Sequence, residues 1–208
     1  ARVIAHTAAG TDQEHIDMVI LSHASMPDRT EAIRTGEDEA FLNAIRADAK
    51  ALEAMGCANI AIPCNTSHYF LPKIQETTSV PIINMIEESV KAVKRRFPEA
   101  QRVGIMATDG TIAAGMYHKA ITEAGLVPVS PTEKEQKEVM SLIYDEIKAG
   151  DHGDRRKFDR AYADLTDQGC DVVLLGCTEL SVFKEYYSVP ENCLDAMDIL
   201  VKESVRRS

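Results

Sequence analysis

The chain of 208 residues is poor in aromatic residues, in basic charge and in long apolar runs, each of which marks a particular class of protein. It has no Trp and only 5% aromatic residues, so its composition gives no sign of an aromatic binding surface. It carries 23 Lys and Arg residues against 33 Asp and Glu, and this acidic balance disfavours nucleic acid and anionic membranes as partners. Its longest apolar runs, such as 172–175, are far shorter than the roughly 20 residues of a membrane span.

Signals for export, for metals and for nucleotides are also missing. No charged and apolar leader pattern opens the sequence, and the five cysteines are an odd number without the spacing of a disulfide scaffold. We therefore expect a cytoplasmic protein with reduced thiols. The six histidines show no metal-ligand spacing, and Thr108-Asp-Gly-Thr111 is not followed by the Gly-Lys-Ser/Thr of a phosphate loop, so neither a metal nor a nucleotide is expected.

What the sequence does contain is a pair of matching cysteine segments. Residues 60–66 read IAIPCNT and residues 173–179 read VLLGCTE, and Cys177 follows Cys64 by 113 residues. Cys57 and Cys170 match at the same offset, and a Val-Pro pair follows each copy. Each copy is typical of a short buried strand that ends at a cysteine and is followed by residues suited to capping a helix. Two related half-molecules that face each other across a cleft are the simplest interpretation.

Apolar runs and helical periodicity alternate along the chain, which predicts an α/β fold of parallel sheets covered by helices. Residues 1–10 have the pattern of a helix end. Strands are predicted at 17–22, 60–62, 80–84, 102–107, 126–129, 171–175 and 193–195. Helices are predicted at 37–55, 66–76, 86–96, 112–124, 135–149, 154–168, 180–187 and 197–206.

The predicted organisation is two similar parallel-sheet α/β domains related by pseudo-symmetry, with the active site in the cleft between them. The first domain takes residues 1–98 and the second takes residues 99–190, separated by a linker at 98–101. Residues 191–208 form a strand remnant and a last helix that we expect to pack back on the first domain. The carboxyl ends of parallel strands carry the functional groups in such folds, and Arg29, Cys64, Thr108 and Cys177 are all predicted there.

Two equivalent thiols facing one ligand suit a reaction in which one face of a carbon loses a proton and the other face gains one. A thiol at a helix N-terminus has a pKa below the usual value of about 8.5 and can act as a base. This chemistry is racemisation or epimerisation. A Cys-His hydrolase is an alternative function, because His68 lies close to Cys64 in the sequence. The second copy, however, has no matching His.

The same turns offer donors for a substrate carboxylate. These candidate donors are Asn65, Thr66 and Ser67 in the first copy, Thr178 in the second, and Thr108 with Thr111 on the Gly turn. Arg29 and Lys148 could supply positive charge to a second carboxylate. Each of these two has an ordinary alternative role, Arg29 as a surface partner of Asp28 and Lys148 as the basic end of a helix.

In order and spacing, these segments together resemble the aspartate/glutamate racemase superfamily, most closely its cofactor-independent aspartate racemases. The segments that carry the resemblance are Met26-Pro-Asp-Arg-Thr30, Pro63-Cys-Asn-Thr66, Met106-Ala-Thr-Asp-Gly-Thr111, Pro131-Thr-Glu-Lys-Glu-Gln-Lys137, Lys148 and Gly176-Cys-Thr-Glu179.

The resemblance implies that Cys64 and Cys177 transfer the proton and that Asn65 and Thr66 hold the α-carboxylate. It also implies that Arg29 and Lys148 bind the side-chain carboxylate, that no cofactor is needed and that the protein is a homodimer. Members of the superfamily begin with a strand and a Gly-rich, Met-containing turn that this sequence lacks, so we expect a segment to precede Ala1.

Other functions stay open at this stage. A broad-specificity or glutamate racemase, a decarboxylase or a cis-trans isomerase could use the same scaffold, although a decarboxylase needs only one thiol. A protein that closes on a dicarboxylate without catalysis is the alternative from a different class, and it would have no need of reactive thiols.

Overall fold

The computed structural model describes residues 2–208, so the first residue of the predicted helix end at 1–10 lies outside the described part. The helices are α1 (Arg2–His6), α2 (Arg29–Thr35), α3 (Glu39–Ala54), α4 (Leu71–Gln75), α5 (Met85–Arg96), α6 (Asp109–Ala113), α7 (Met116–Glu123), α8 (Glu133–Ser141), α9 (Arg155–Asp167), α10 (Thr178–Tyr186) and α11 (Ala196–Arg207). The strands are β1 (Arg102–Met106), β2 (Val127–Val129), β3 (Val172–Leu175) and β4 (Cys193–Asp195). Single turns of 3-10 helix at Asp12–Glu14 and Thr66–Phe70 and a π-helical turn at Leu142–Ile147 complete the set.

The four strands form one parallel sheet in the order β2-β1-β3-β4. Alternate residues of β3 serve two cores, because successive side chains of a strand point to opposite faces. Val173 and Leu175 belong to a cluster with Phe158 of α9 and Phe183 of α10, whereas Val172 and Leu174 pack with residues of α5 and α7. Helices therefore cover both faces of the sheet, and the predicted parallel α/β fold is confirmed.

The first half of the chain is organised around α3, which buries Phe41, Leu42 and Ile45. The strand that precedes Cys64 is reduced to a single parallel bridge between Ile60 and Ile82. The Ile60 amide donates to the Pro81 carbonyl at 2.9 Å, and its carbonyl accepts from the Ile83 amide at 2.8 Å. The strands predicted at 60–62 and 80–84 are thus neighbours, but they form no extended sheet.

The strand predicted at 17–22 is wrong in this structure. The segment has no regular secondary structure, and the side chain of Ile20 is 78% exposed. Its backbone groups make no backbone hydrogen bond within residues 2–208. An apolar run becomes a strand only where a neighbouring strand pairs with it, and this one instead lines a broad cavity of about 1200 Å³ together with the segment before Cys64.

Two predicted helices differ in their internal form. The helix predicted at 112–124 begins earlier, because the Thr108 hydroxyl caps α6 by accepting from the Thr111 amide at 3.3 Å. It then breaks at Gly115, whose φ of 68° starts α7. The helix predicted at 135–149 starts at Glu133 and changes to the π-helical turn at Leu142.

The last helix runs from the sheet of the second half to the first half. Residues Ala196 and Leu200 of α11 share a cluster with Ile83 and Met85, and the Arg207 guanidinium donates to the Glu88 carboxylate at 2.9 Å. The boundaries 1–98, 99–190 and 191–208, and the pseudo-symmetry of the two halves, stay predictions. Within residues 2–208, no helix combines the length and the apolar character that a membrane crossing requires.

Candidate active site

A small polar cavity of about 70 Å³ lies where turns from the two halves of the chain meet. Its first wall comes from the loop and helix start at 28–30 and from the turn at 63–66. Its second wall comes from Thr108, Tyr144, Lys148 and the turn at 176–179. Cys64 lines one side and Cys177 the other, so the structure brings the two matched cysteines to one cavity.

Arg29 is the cation that lines the same wall of the cavity as Cys64. It is the first residue of α2, whose N-cap Asp28 accepts a hydrogen bond from the Glu31 amide at 2.8 Å. Burial lowers the pKa of Arg29, but its interactions with Cys64 and then Asp28 outweigh burial and raise it. Arg29 was predicted in a loop, but it lies at a helix start, where it lines the cavity and its guanidinium donates to the Pro27 carbonyl at 3.3 Å.

His68 is tied to the backbone around Cys64. Its Nδ1 lies 2.9 Å from the Cys64 carbonyl oxygen, and its Nε2 accepts from the Met85 amide at 3.1 Å. Burial lowers the pKa of His68, which keeps the ring neutral. Both ring nitrogens thus lie within hydrogen-bond distance of backbone groups, Nε2 also of the Ile83 carbonyl at 3.3 Å, which disfavours His68 as the base of a Cys-His hydrolase. Its role is to join the Cys64 turn to the start of α5.

The side-chain amide of Asn65, the residue after Cys64, has a hydrogen-bond partner at only one of its two ends in the described part of the chain. Its Oδ1 accepts a hydrogen bond of 2.6 Å from the hydroxyl of Tyr117. Its Nδ2 is buried and has no hydrogen-bond partner in the described part of the chain. A buried amide without a partner costs stability unless a ligand completes it, so this group is suited to an acceptor placed in the cavity.

Three threonine hydroxyls join the halves beside the cavity. The Thr111 hydroxyl lies 3.0 Å from that of Thr66 in the first half and accepts from that of Thr108 at 3.1 Å. All three residues are buried. Thr66 and Thr108 line the cavity, whereas Thr111 lies behind them and links them.

Cys177 is the N-cap residue of α10, and its environment opposes ionisation. Its thiol donates a hydrogen bond to the Glu179 carboxylate at 2.8 Å, and the Thr178 hydroxyl donates to the same oxygen at 3.1 Å. Burial, and then the charge and hydrogen bond of Glu179, raise the pKa of Cys177 well above its ordinary value. The expectation that a helix N-terminus lowers the pKa of this thiol was wrong, because desolvation and the neighbouring carboxylate are the stronger effects.

Lys148 reaches the cavity because of the π-helical turn that precedes it. Its ammonium lies 3.9 Å from a Glu179 carboxylate oxygen and 3.9 Å from the centre of the Tyr144 ring. π-helical turns occur mostly within helices at functional sites. Lys148 lines the cavity, and its ammonium lies near the Glu179 carboxylate that contacts Cys177.

Most of the predicted site residues come together in this cavity. Those that line it are Arg29, Cys64, Asn65, Thr66, Thr108, Lys148, Cys177 and Thr178. Ser67 and Thr111 do not line it. Ser67 is buried beside the large cavity because the 3-10 turn rotates it away, and Thr111 points at the other two threonines.

Three residues of the site were not predicted from the sequence. Glu179 belongs to a quoted segment, and its spacing of two from Cys177 was a usable signal. Tyr144 and Tyr117 lie on helices, where nothing in the periodicity separates a site residue from a core residue. Of the three other cysteines, Cys170 and Cys193 are buried and Cys57 is half-buried.

The parallel α/β fold agrees with comparisons to known proteins. A family model described as Asp/Glu/Hydantoin racemase matches residues 1–204, so the chain belongs to the Asp/Glu/hydantoin racemase family. Membership of that family makes the protein an isomerase, which confirms the enzyme class predicted from the sequence.

Individual relatives differ in their described substrates. The broad specificity amino-acid racemase RacX of Bacillus subtilis is 25% identical over 95% of this chain and 84% of its own length. A glutamate racemase of Corynebacterium kroppenstedtii is 35% identical, but over only 61% of this chain and 43% of its own length. The structure of an aspartate racemase from Picrophilus torridus matches 99% of this chain and 85% of its own with a TM-score of 0.78 at 24% identity, which shows a shared fold.

Proposed function

We propose that this protein racemises aspartate without a cofactor, using Cys64 and Cys177 as acid and base on opposite faces of the α-carbon. The observation that carries the proposal is that both thiols line one small cavity from opposite halves of the chain. One thiolate takes the α-proton and becomes a thiol, while the electron pair left on the carbon spreads into the α-carboxylate. The other thiol then gives its proton to the opposite face.

The surroundings of the two thiols differ. Arg29 lies beside Cys64 and is the counter-charge for that sulfur when it has lost its proton. Cys177 is held as a thiol by burial and by Glu179, and so begins as the proton donor. In the reverse direction, Glu179 is placed to accept the proton that Cys177 gives up, at 2.8 Å.

Donors and cations of the cavity suit a short dicarboxylate. The unpaired amide of Asn65 and the hydroxyl of Thr66 would hold the α-carboxylate. Arg29 and Lys148 would hold the side-chain carboxylate, and Lys148 would then shift part of its interaction away from Glu179.

A broad-specificity racemase is the second candidate, because the RacX relative aligns with nearly the whole chain. A glutamate racemase is a third, supported by relatives that align over a shorter part. Comparing turnover of aspartate, glutamate and several neutral amino acids separates these from the aspartate enzyme.

The experiment that tests the proposal is α-proton exchange of L-aspartate in heavy water, followed by proton NMR and chiral chromatography. We expect deuterium at the α-carbon and the appearance of D-aspartate. Cys64→Ala and Cys177→Ala should each reduce racemisation by about 10²–10⁴-fold. Cys57→Ala is the matched control, since Cys57 lies outside the small cavity.

Two results would contradict the proposal. Full activity in both Cys64→Ala and Cys177→Ala would exclude the two-thiol mechanism. Binding of aspartate without any exchange would identify a dicarboxylate-binding protein instead.

The resemblance also leads us to propose a homodimer that works in the cytoplasm without pyridoxal phosphate. Light scattering coupled to size-exclusion chromatography measures the mass in solution against the 22.9 kDa of one chain. Racemisation that persists after hydroxylamine treatment and dialysis supports catalysis without the cofactor.

A further inference from the structure

Tyr117 is a fully buried residue on α7 that contacts the neighbours of both cysteines. Its hydroxyl bonds to Asn65, the residue after Cys64, and its ring lies against Gly176, the residue before Cys177. We propose that Tyr117 is a positioning residue that holds the Asn65 amide toward the substrate carboxylate while its ring supports the Cys177 turn. This inference rests on the proposed racemase function and adds a specificity role that the cavity residues alone do not reveal.

The hydroxyl decides which end of the Asn65 amide faces the cavity. An amide presents an acceptor oxygen on one side and a donor NH₂ on the other. Because the Tyr117 hydroxyl donates to Oδ1 at 2.6 Å, the NH₂ of Asn65, a residue that lines the small cavity, is left without a partner in the described part of the chain. Burial raises the pKa of Tyr117, so the hydroxyl stays protonated and remains a donor. Without this donor, the amide could turn its oxygen toward an incoming carboxylate, which would repel it.

The ring acts on the second turn through close packing. A Cβ added to Gly176 would lie 2.9 Å from Cε2 of Tyr117 and 3.2 Å from the Ala107 side chain. The backbone before Cys177 therefore runs directly against the ring. A single side chain thus fixes the spacing between the Asn65 turn and the Cys177 turn.

The test is Tyr117→Phe, which keeps the ring against Gly176 and removes only the hydroxyl. We expect KM for L-aspartate to rise about fivefold, as for one lost hydrogen bond, with kcat changed less than twofold. A loss of folded protein would lower the apparent kcat and leave KM unchanged, so the split identifies positioning. Tyr162→Phe is the matched control, because the Tyr162 hydroxyl also donates to an asparagine oxygen, that of Asn192 at 2.8 Å, far from the cavity lining.

A second measurement does not depend on activity. In ¹⁵N-labelled protein, the side-chain NH₂ signals of Asn65, identified by their absence in Asn65→Ala, should move in Tyr117→Phe and stay in place in Tyr162→Phe. In the Asn65→Ala background, adding Tyr117→Phe should change KM less than twofold, because the hydroxyl has no amide left to hold.

The outcomes separate the two proposals. If wild-type protein shows no α-proton exchange, the racemase function fails, and the NMR signals alone decide whether Tyr117 orients Asn65. If wild-type protein is active but Tyr117→Phe leaves both KM and the Asn65 signals unchanged, the positioning role is overturned and the racemase function stands. An equal rise in KM for Tyr162→Phe also overturns it.

Discussion

The thiol of Cys177 donates a hydrogen bond to the carboxylate of Glu179 two residues later, at 2.8 Å. The same carboxylate accepts from the Thr178 hydroxyl and lies 3.9 Å from the ammonium of Lys148. Glu179 therefore links the sulfur, the helix start and one of the two cations of the cavity. Its charge favours the protonated form of Cys177. A mutation of Glu179 should therefore change the pKa of that thiol.

Replacing Glu179 by Gln should lower the pKa of Cys177, because it removes the negative charge that opposes ionisation. Burial remains, so we expect the pKa to stay above the ordinary value of a thiol. The measurement is the rate of alkylation of Cys177 by iodoacetamide between pH 7 and 10, resolved from the other cysteines by peptide mass spectrometry. We expect faster alkylation in Glu179→Gln and no change in Glu185→Gln, a matched change on the exposed face of α10. Equal rates in wild type and Glu179→Gln would contradict this account.

Replacing Arg29 by Ala should lower kcat/KM for aspartate more than kcat/KM for neutral amino acids. A charge-assisted hydrogen bond contributes about 1.5–3 kcal/mol, so kcat/KM for aspartate should fall by about 10–100-fold. Turnover of alanine, if the enzyme has any, should fall only to the extent that Arg29 serves Cys64. Arg34→Ala is the control, since Arg34 is exposed and pairs with Glu31 on the same helix. A uniform loss across all substrates would assign Arg29 to the thiol alone.

Protonation of His68 should couple stability to pH. Burial lowers the pKa of His68 below its value of 6.5 in an unfolded chain. The unfolded state therefore binds a proton that the folded state resists, and the stabilisation present above pH 6.5 is lost as the pH falls below it. One such group changes the free energy of unfolding by at most about 1.4 kcal/mol per pH unit.

Urea unfolding between pH 5 and 7.5 should show this slope in wild type and a shallower one in His68→Gln. His6→Gln removes a more exposed histidine and should keep the wild-type slope. A slope that His68→Gln leaves unchanged would show that His68 takes up its proton equally well in the folded protein.

Helices α2 and α6 approach so closely at Gly110 that the position cannot hold a larger residue. A Cβ there would lie 2.7 Å and 2.8 Å from the side-chain atoms of Thr30, which follows Arg29. Gly110→Ala should cost about 1–3 kcal/mol of the free energy of unfolding, as overpacking does. Thr30→Ala removes the two closest atoms and should restore most of the loss in the double variant. The same cost in both backgrounds would place the strain elsewhere.

Much of the fold follows from patterns within short stretches of sequence. The apolar run at 172–175 predicted β3, and the duplicated cysteine segments predicted that Cys64 and Cys177 share a site. The run at 17–22 gave a wrong prediction. Apolar residues indicate a tendency to form a strand, but they do not show whether a partner strand lies beside the segment. The π-helical turn before Lys148 leaves no trace in helical periodicity, since it adds less than one residue to a turn.

The unpredicted parts of the site are contacts between distant positions. The Tyr117 hydroxyl reaches Asn65 across 52 positions of the sequence, and no spacing rule connects them. The raised pKa of Cys177 depends on how deeply its side chain is buried. The sequence indicates burial for a whole helix or strand but not for a single side chain. Residue types at the site were therefore predictable, whereas the bonds that orient them were not.

The path of α11 has a consequence for dividing this chain into pieces. With the predicted linker at 98–101, the chain crosses between its halves there and crosses again where β4 leads into α11. Ala196 and Leu200 then pack on Ile83 and Met85, and the end of the helix is held by Glu88. A cut at the first crossing would leave α11 on the later fragment with its apolar face uncovered, and the same face would serve as the docking element that brings the two fragments back together. Split-protein reporters for this scaffold are best divided at the first crossing for that reason.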